Sequence, residues 1–123
     1  GMLTVTDSGI EDASSGIQND GTLTLDRSTV SGNTVQYGGG GGIGNAATMM
    51  VTNSTISGNS VSSHGGGISN FDVLALTNST VSGNTAGDQG GGVYNTGTLT
   101  LTNSTVTGNR SGRVAGGITI SGP

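Results

Sequence analysis

One phrase recurs down this chain and limits what the chain can fold into. The run from Thr98 to Asn109, Thr-Leu-Thr-Leu-Thr-Asn-Ser-Thr-Val-Thr-Gly-Asn, has close copies at Val73 to Asn84, Thr48 to Asn59 and Thr22 to Asn33. A degenerate copy, Met2 to Ala13, precedes them. Successive full copies start 26, 25 and 25 residues apart, at Thr22, Thr48, Val73 and Thr98. A period of this size indicates a solenoid. Leucine-rich repeats share the length but need a different leucine pattern and a helical return. Here β-branched residues and glycine dominate and no helical spacing appears, so the repeat reads as strands.

Each coil offers three short extended segments. The first is Leu23-Thr24-Leu25, matched by Met49 to Val51, Leu74 to Leu76 and Leu99 to Leu101. Alternation directs the aliphatic side chains inward and Thr24 or Thr100 outward. The second holds Val30, Ile56, Val81 and Val106, flanked by small Ser and Gly residues. The third begins at Ile43, Ile68, Val93 and Ile118. Three parallel strands per turn, each paired with its copy ~4.8 Å away, describe an all-β parallel β-helix. Residues 1–123 form one such domain of about five coils, bounded near 2–21, 22–47, 48–72, 73–97 and 98–123. At about 1.5–3 kcal/mol per buried aliphatic side chain, a single coil cannot stand alone.

Asparagine marks the turns. Asn33, Asn59, Asn84 and Asn109 follow glycine in every full coil, while Asn19, Asn45, Asn70 and Asn95 follow the third aliphatic column. An amide carries donor and acceptor, so stacked asparagines can bond to their copies in adjacent coils and tolerate sharp corners. Both columns are therefore expected to be structural ladders. Asn53, Asn78 and Asn103 form a shorter third column, interrupted by Arg27. The first coil is shorter than the others, and the difference falls in the Gly-rich stretch before the third segment. Irregularity is thus expected on one side of the solenoid, the side repeat proteins often use for binding.

Composition excludes several classes. Only 29% of the chain is hydrophobic and 26 residues are glycine, which rules against a conventional globular core. A disordered linker has no reason to keep aliphatic residues in register. The net charge is −4, with three Lys and Arg residues in all, so nucleic acid and anionic membrane surfaces are poor partners. Cysteine is absent, hence there is no disulfide frame and no thiolate metal site. No apolar run reaches the ~18 residues of a spanning helix, and no signal-peptide pattern is present. Gly1 before Met2 reads as a cloning remnant, and the abrupt ends as those of a piece of a longer array. At the C-terminal end Ile120 replaces the ladder asparagine, so Ser121-Gly122-Pro123 either begins a cap or interrupts a longer run. Open sheet edges at a bare end invite end-to-end self-association.

With these residues in view, the chain resembles bacterial right-handed parallel β-helix repeat proteins of the pectin-lyase-like superfamily. The words Leu-Thr-Asn-Ser-Thr-Val-Ser-Gly-Asn and Gly-Gly-Gly-Val-Tyr-Asn are also similar to the repeats of polymorphic outer membrane proteins. The resemblance covers Leu3 to about Ile118. It implies right-handedness, a secreted or cell-surface location and an adhesive or structural task. The aromatic that often begins the Asn-ending word in those relatives is replaced here by Ser or Thr, and no barrel translocator follows.

Chemistry is sparse. Polysaccharide lyases of that superfamily use a basic residue, usually beside calcium held by aspartates. This chain has no lysine, and nothing in its spacing rings Arg27, Arg110 or Arg113 with carboxylates. Hydrolases need paired acids, whereas Asp20 and Asp72 fall two coils apart and Asp88 stands alone in a loop. The single histidine, His64, reads as a solvated loop residue aligned with Gln89 and Val114. Tyr37, Asp88, Arg110 and Arg113 share that side without a common theme. The Asn-Ser-Thr sequons at Asn53, Asn78 and Asn103, and Asn109-Arg110-Ser111, read as coincidental. One array repeats: Thr29 and Ser31, Thr55 and Ser57, Thr80 and Ser82, Thr105 and Thr107 point outward from the second segment. They predict a grid spaced ~4.8 Å along the axis and ~6.6–6.8 Å along the strand. Such a grid fits ice or a glycan surface. The expectation is a non-enzymatic structural or adhesive module without cofactors. Its partner is a glycan or protein surface rather than nucleic acid or a membrane interior. The alternatives are surface binding through the grid and the remnant of a polysaccharide-active enzyme.

Overall fold

A computed structural model of the chain describes residues 2–14, 16–36 and 40–121. It is a parallel solenoid without helix among those residues. Its rungs stack into four sheets. Sheet I holds Met2–Thr6, Thr22–Asp26, Thr48–Thr52, Val73–Thr77 and Thr98–Thr102. Sheet II holds Gly9–Glu11, Thr29–Ser31, Thr55–Ser57, Thr80–Ser82 and Thr105–Thr107. Sheet III consists of the two-residue strands Thr34–Val35, Ser60–Val61, Thr85–Ala86 and Arg110–Ser111. Sheet IV holds Ile17–Asn19, Ile43–Asn45, Ile68–Asn70, Val93–Asn95 and Ile118–Ile120. Every pairing is parallel and joins equivalent residues of neighbouring coils, such as Val81 with Ile56 and Val106.

The expected three segments per coil are sheets I, II and IV; sheet III is a fourth strand that the sequence reading took for loop. Val35, Val61 and Ala86 point inward from it and form a small apolar cluster of their own. The main core is the set of files anticipated above, with Val30, Ile56 and Val81 fully buried in one of them. Val5, Ile10, Ile17, Leu99, Val106 and Ile118 extend the files into the first and last rungs, where they are only partly buried.

The corners between sheets I and II and between sheets II and III turn through left-handed backbone. Between sheets I and II the turn residue is Asp7, Arg27, Asn53, Asn78 and Asn103, with φ from 47° to 50°. Asn53, Asn78 and Asn103 are exposed there and form no amide ladder. Arg27 does not interrupt this column, because it adopts the same backbone shape as its neighbours. Ahead of the first ladder, Gly32, Gly58, Gly83 and Gly108 turn at φ from 62° to 65°.

Where the described residues cover them, the Gly-rich returns are regularly paired. Their backbones bond coil to coil, as Gly65 N to Gln89 O at 3.0 Å and Gly66 N to Gly90 O at 3.0 Å. They also fold back over the outer side of sheet IV. A Cβ on Gly90, at φ 62°, would come within 2.8 Å of the Val93 carbonyl carbon and 2.9 Å of Tyr94 Cα. Gly44 and Ser69, outward by alternation, are therefore buried under this second layer.

Candidate functional site

Both asparagine columns are closed hydrogen-bond ladders. In the first, the Asn59 backbone N–H and Nδ2 donate to Asn84 Oδ1 at 2.9 and 3.0 Å, while Nδ2 also reaches Val30 O at 3.0 Å. The pattern runs from Asn33 to Asn109, and Ala13 N joins its near end by donating to Asn33 Oδ1 at 3.0 Å. In the second, Asn19, Asn45 and Asn70 each donate through Nδ2 to the Oδ1 of the next asparagine, ending on Asn95, at 2.7 to 2.8 Å. A serine ladder lies beside them: Ser28 N donates to Ser54 Oγ at 3.0 Å and Ser54 N to Ser79 Oγ at 3.1 Å. Buried Ser28, Ser54 and Ser79 thus do more than leave room in a narrow interior. These amides are committed to one another, coil to coil.

The hydroxyl grid stands on sheet II as two registered columns. Thr29, Thr55, Thr80 and Thr105 form one, and Ser31, Ser57, Ser82 and Thr107 the other. Thr29, Ser31, Thr55, Ser57, Thr80 and Ser82 are half-buried, and Thr105 and Thr107 are exposed. In the first rung Gly9 and Glu11 take these places, so the grid ends there. The sequence reading missed a wider companion on sheet I. Its outward positions carry Thr4, Thr6, Thr22, Thr24, Thr48, Thr52, Thr77, Thr98, Thr100 and Thr102, interspersed with Met2, Asp26, Met50, Val73 and Ala75. The alternation that identified Thr24 and Thr100 as outward was the available signal. Variable Met50 and Ala75 in the same column obscured it.

The loop side does have a local theme, contrary to the sequence expectation. His64, Gln89 and Val114 bridge in parallel register, as anticipated. However, His64 stacks on Tyr94 with ring centroids 4.6 Å apart, and its Nδ1 lies 3.5 Å from Asp88 Oδ2. Arg113 NH1 approaches Asp88 Oδ1 at 3.1 Å. Asp88 is therefore not alone, and His64 is not a free solvated side chain. Asp88 Oδ1 and His64 Nδ1 are buried without a well-aligned hydrogen bond, so the Arg113 contact is an ion pair without one. Three consecutive coils are clasped together here: Asp88 and Arg113 stand one 25-residue period apart, while His64 and Tyr94 come from other columns. Tyr37 of this side lies outside the described residues, as does the Gly122-Pro123 portion of the expected cap.

Arg27 also departs from expectation, because two carboxylates hold it. Its Nε and NH2 donate to Asp7 Oδ1 and Oδ2 at 2.8 and 3.2 Å, and NH1 donates to Asp26 Oδ2 at 2.6 Å. The bidentate hydrogen bond, aided by the guanidinium charge, holds the Asp7 carboxyl below its ordinary range, and the same partner raises Arg27. The pair is exposed, and it links the first coil to the second. Asp20 and Asp72 lie in turns between sheets IV and I. Among the described residues no group of three or more His, Cys, Asp or Glu side chains is placed to hold a metal ion. No helix of the described residues is long and apolar enough to cross a membrane.

Comparison with curated proteins and with solved structures found no match. The match to a protein family spans residues 2–122 and carries the description "Right handed beta helix region". Parallel rungs and stacked aliphatic files among the described residues agree with that match, and the chain belongs to the right-handed β-helix family.

Proposed function

We propose that this chain is a non-catalytic, rigid repeat module of a secreted or cell-surface protein, serving as spacer and adhesive surface. The observation that carries this reading is the pair of unbroken asparagine ladders running through the rungs. They spend the most chemically versatile side chains of the repeat on holding coil to coil, which favours stiffness over reactivity. The β-helix scaffold also serves enzymes that degrade pectin, so the fold alone decides nothing about catalysis. The deciding experiment is incubation of the purified protein with pectin, polygalacturonate and alginate. Unchanged polymer length is expected, and cleavage abolished by substituting His64 or Asp88 overturns the reading.

A second reading, binding to an ordered surface, is favoured by one observation: the registered Thr and Ser columns of sheet II adjoin the larger Thr face of sheet I. Methyl and hydroxyl groups repeating at a sheet's own spacings suit an uncharged, periodic solid. Threonine's preference for strands produces such columns without any ligand, however. Thermal hysteresis and retention on insoluble neutral glycans test the idea directly. Activity in either assay that falls when Thr55 and Thr80 are replaced by Lys supports it. Inactivity in both removes it.

A further inference from the structure

Most positions that face outward from sheet I carry threonine, and threonine's preference for strands accounts for those columns without a ligand. It does not account for the place where they are interrupted. Val73 stands where the neighbouring coils have Thr48 and Thr98. Met50 and Ala75 stand in a column that runs on as Thr24 on one side and Thr100 on the other. Phe71, on the turn that leads into the strand Val73–Thr77, takes the backbone position that Ala46 and Thr96 hold in the adjacent coils. Val73 and Met50 are one rung and two residues apart, roughly 8 Å between backbones, and Phe71 precedes Val73 by two residues. The apolar replacements therefore adjoin one another.

They are also open to solvent. Met50 is 49% exposed, Phe71 50% and Val73 38%, and the strands Thr48–Thr52 and Val73–Thr77 each have a partner on both sides. The other exposed large hydrophobics among the described residues, Met2, Leu3, Leu101, Val114 and Ile120, belong to the first and last coils. Apolar side chains scattered singly over a surface need no explanation, but a cluster of them marks an interaction surface. Its surroundings say what it suits. Thr96, Thr98 and Thr100 are exposed beside it, and Thr48 is half-buried. The strands Thr48–Thr52, Val73–Thr77 and Thr98–Thr102 contain no charged residue. Asp72, exposed and next to Phe71 in the chain, is the nearby acid, while Asp26 of the preceding rung is held by Arg27 NH1 at 2.6 Å.

We propose that this patch is a binding subsite for a neutral polysaccharide, with the Phe71 ring as its platform. A pyranose ring presents an apolar C–H face and a rim of hydroxyl groups. The face stacks on Phe71 and covers Val73 and Met50. The rim pairs with the hydroxyls of Thr96, Thr98 and Thr100, and the Asp72 carboxylate accepts from sugar O–H groups. A lipid tail or an apolar peptide side chain would cover the same hydroxyls without pairing them, at a cost for each. An acidic polymer would bring its carboxylates against Asp72 and a chain of net charge −4. A neutral sugar meets neither obstacle. The inference rests on the adhesive part of the function proposed above and gives it a place; the columns of sheet II take no part in it.

Affinity electrophoresis of the 123-residue chain tests this, in native gels cast with xyloglucan, galactomannan or mixed-linkage β-glucan and compared with a gel without polymer. Retardation by at least one of the three is expected, and none by polygalacturonate. Phe71→Ala is expected to weaken the binding about tenfold and Thr98→Val about threefold, while Phe71→Tyr keeps it. Because Phe71 is half exposed, an unchanged urea midpoint is expected to show that the Phe71→Ala chain is folded. Thr55→Lys with Thr80→Lys is expected to leave the retardation as it was, which separates this site from the sheet II columns. Migration unaffected by all three polymers overturns the proposal, as does stronger retardation by polygalacturonate. Self-association in sedimentation that Phe71→Ala abolishes, without retardation by any polymer, overturns it too and makes the patch an interface between copies. Retardation that survives Phe71→Ala overturns this site and leaves the adhesive reading standing, whereas cleavage of a polymer in the gel overturns the non-catalytic reading itself.

Discussion

Asn84 and Asn78 are the same residue six positions apart, and the fold asks opposite things of them. Asn84 is fully buried, donates from Nδ2 to Ile56 O and Asn109 Oδ1, and accepts both N–H groups of Asn59. Removing it orphans several buried polar groups at about 1–3 kcal/mol each. Asn84→Ala is expected to cost about 3–5 kcal/mol, read as a lowered midpoint in urea. Asn78 is exposed and sits at φ 49°, so Asn78→Ala is expected to cost only the left-handed penalty, about 1 kcal/mol. Ala115 already bears that penalty at φ 45°. Ala115→Gly is expected to stabilise by about 0.5–1 kcal/mol and to raise the calorimetric midpoint. The ladder asparagines were legible in the sequence because one set follows glycine directly and the other stands two residues after the third aliphatic column. The role of the Asn53, Asn78 and Asn103 column was not, since a left-handed corner accepts Asp7 and Arg27 as well, and identity across coils is then no guide.

At the level of elements, sheets I, II and IV were readable because each contributes a long aliphatic file in a fixed place. Sheet III escaped because its strands are two residues long and its inward file shrinks from Val35 and Val61 to Ala86 and then Ser111. Strand character there is testable by alternation. Ala86 is 1% exposed and Thr85 is exposed. Ala86→Asp, which buries an unpaired charge, is expected to cost about 3 kcal/mol or more in denaturant unfolding, and Thr85→Asp about 1 kcal/mol or less. Equal effects would mean a loop. The clasp of His64, Asp88, Tyr94 and Arg113 was hidden for a different reason. Asp88 and Arg113 do share a column, but it starts at Ser63 and repeats no residue type, while His64 and Tyr94 come from other columns and meet only where the Gly-rich layer folds over sheet IV. Repeat logic finds columns; it is blind to contacts that cross them.

For the molecule as a whole, stability is a sum of rungs and steps between rungs, so a coil's security depends on how many neighbours it has. Central residues such as Ile56 and Ile68 are fully buried, whereas Met2 is 87% and Ile120 73% exposed. Amide exchange is accordingly expected to be slowest near Ile56 and Ile68 and to quicken toward both ends. The first rung has one attachment the last lacks, the bidentate pair between Asp7 and Arg27. Because Asp7 titrates below its free value in the folded chain, the pair favours the fold at every pH above the free carboxylate value of about 4. That contribution fades as pH falls through the lowered value, where protonated Asp7 no longer holds the guanidinium. Exchange at Leu3 and Val5, corrected for its intrinsic pH dependence, is therefore expected to speed up below about pH 4. Asp7→Asn should show the faster exchange already at neutral pH and little further change on acidification. An acid response in Asp7→Asn as large as in the parent chain would show that the first coil is held by its aliphatic file alone.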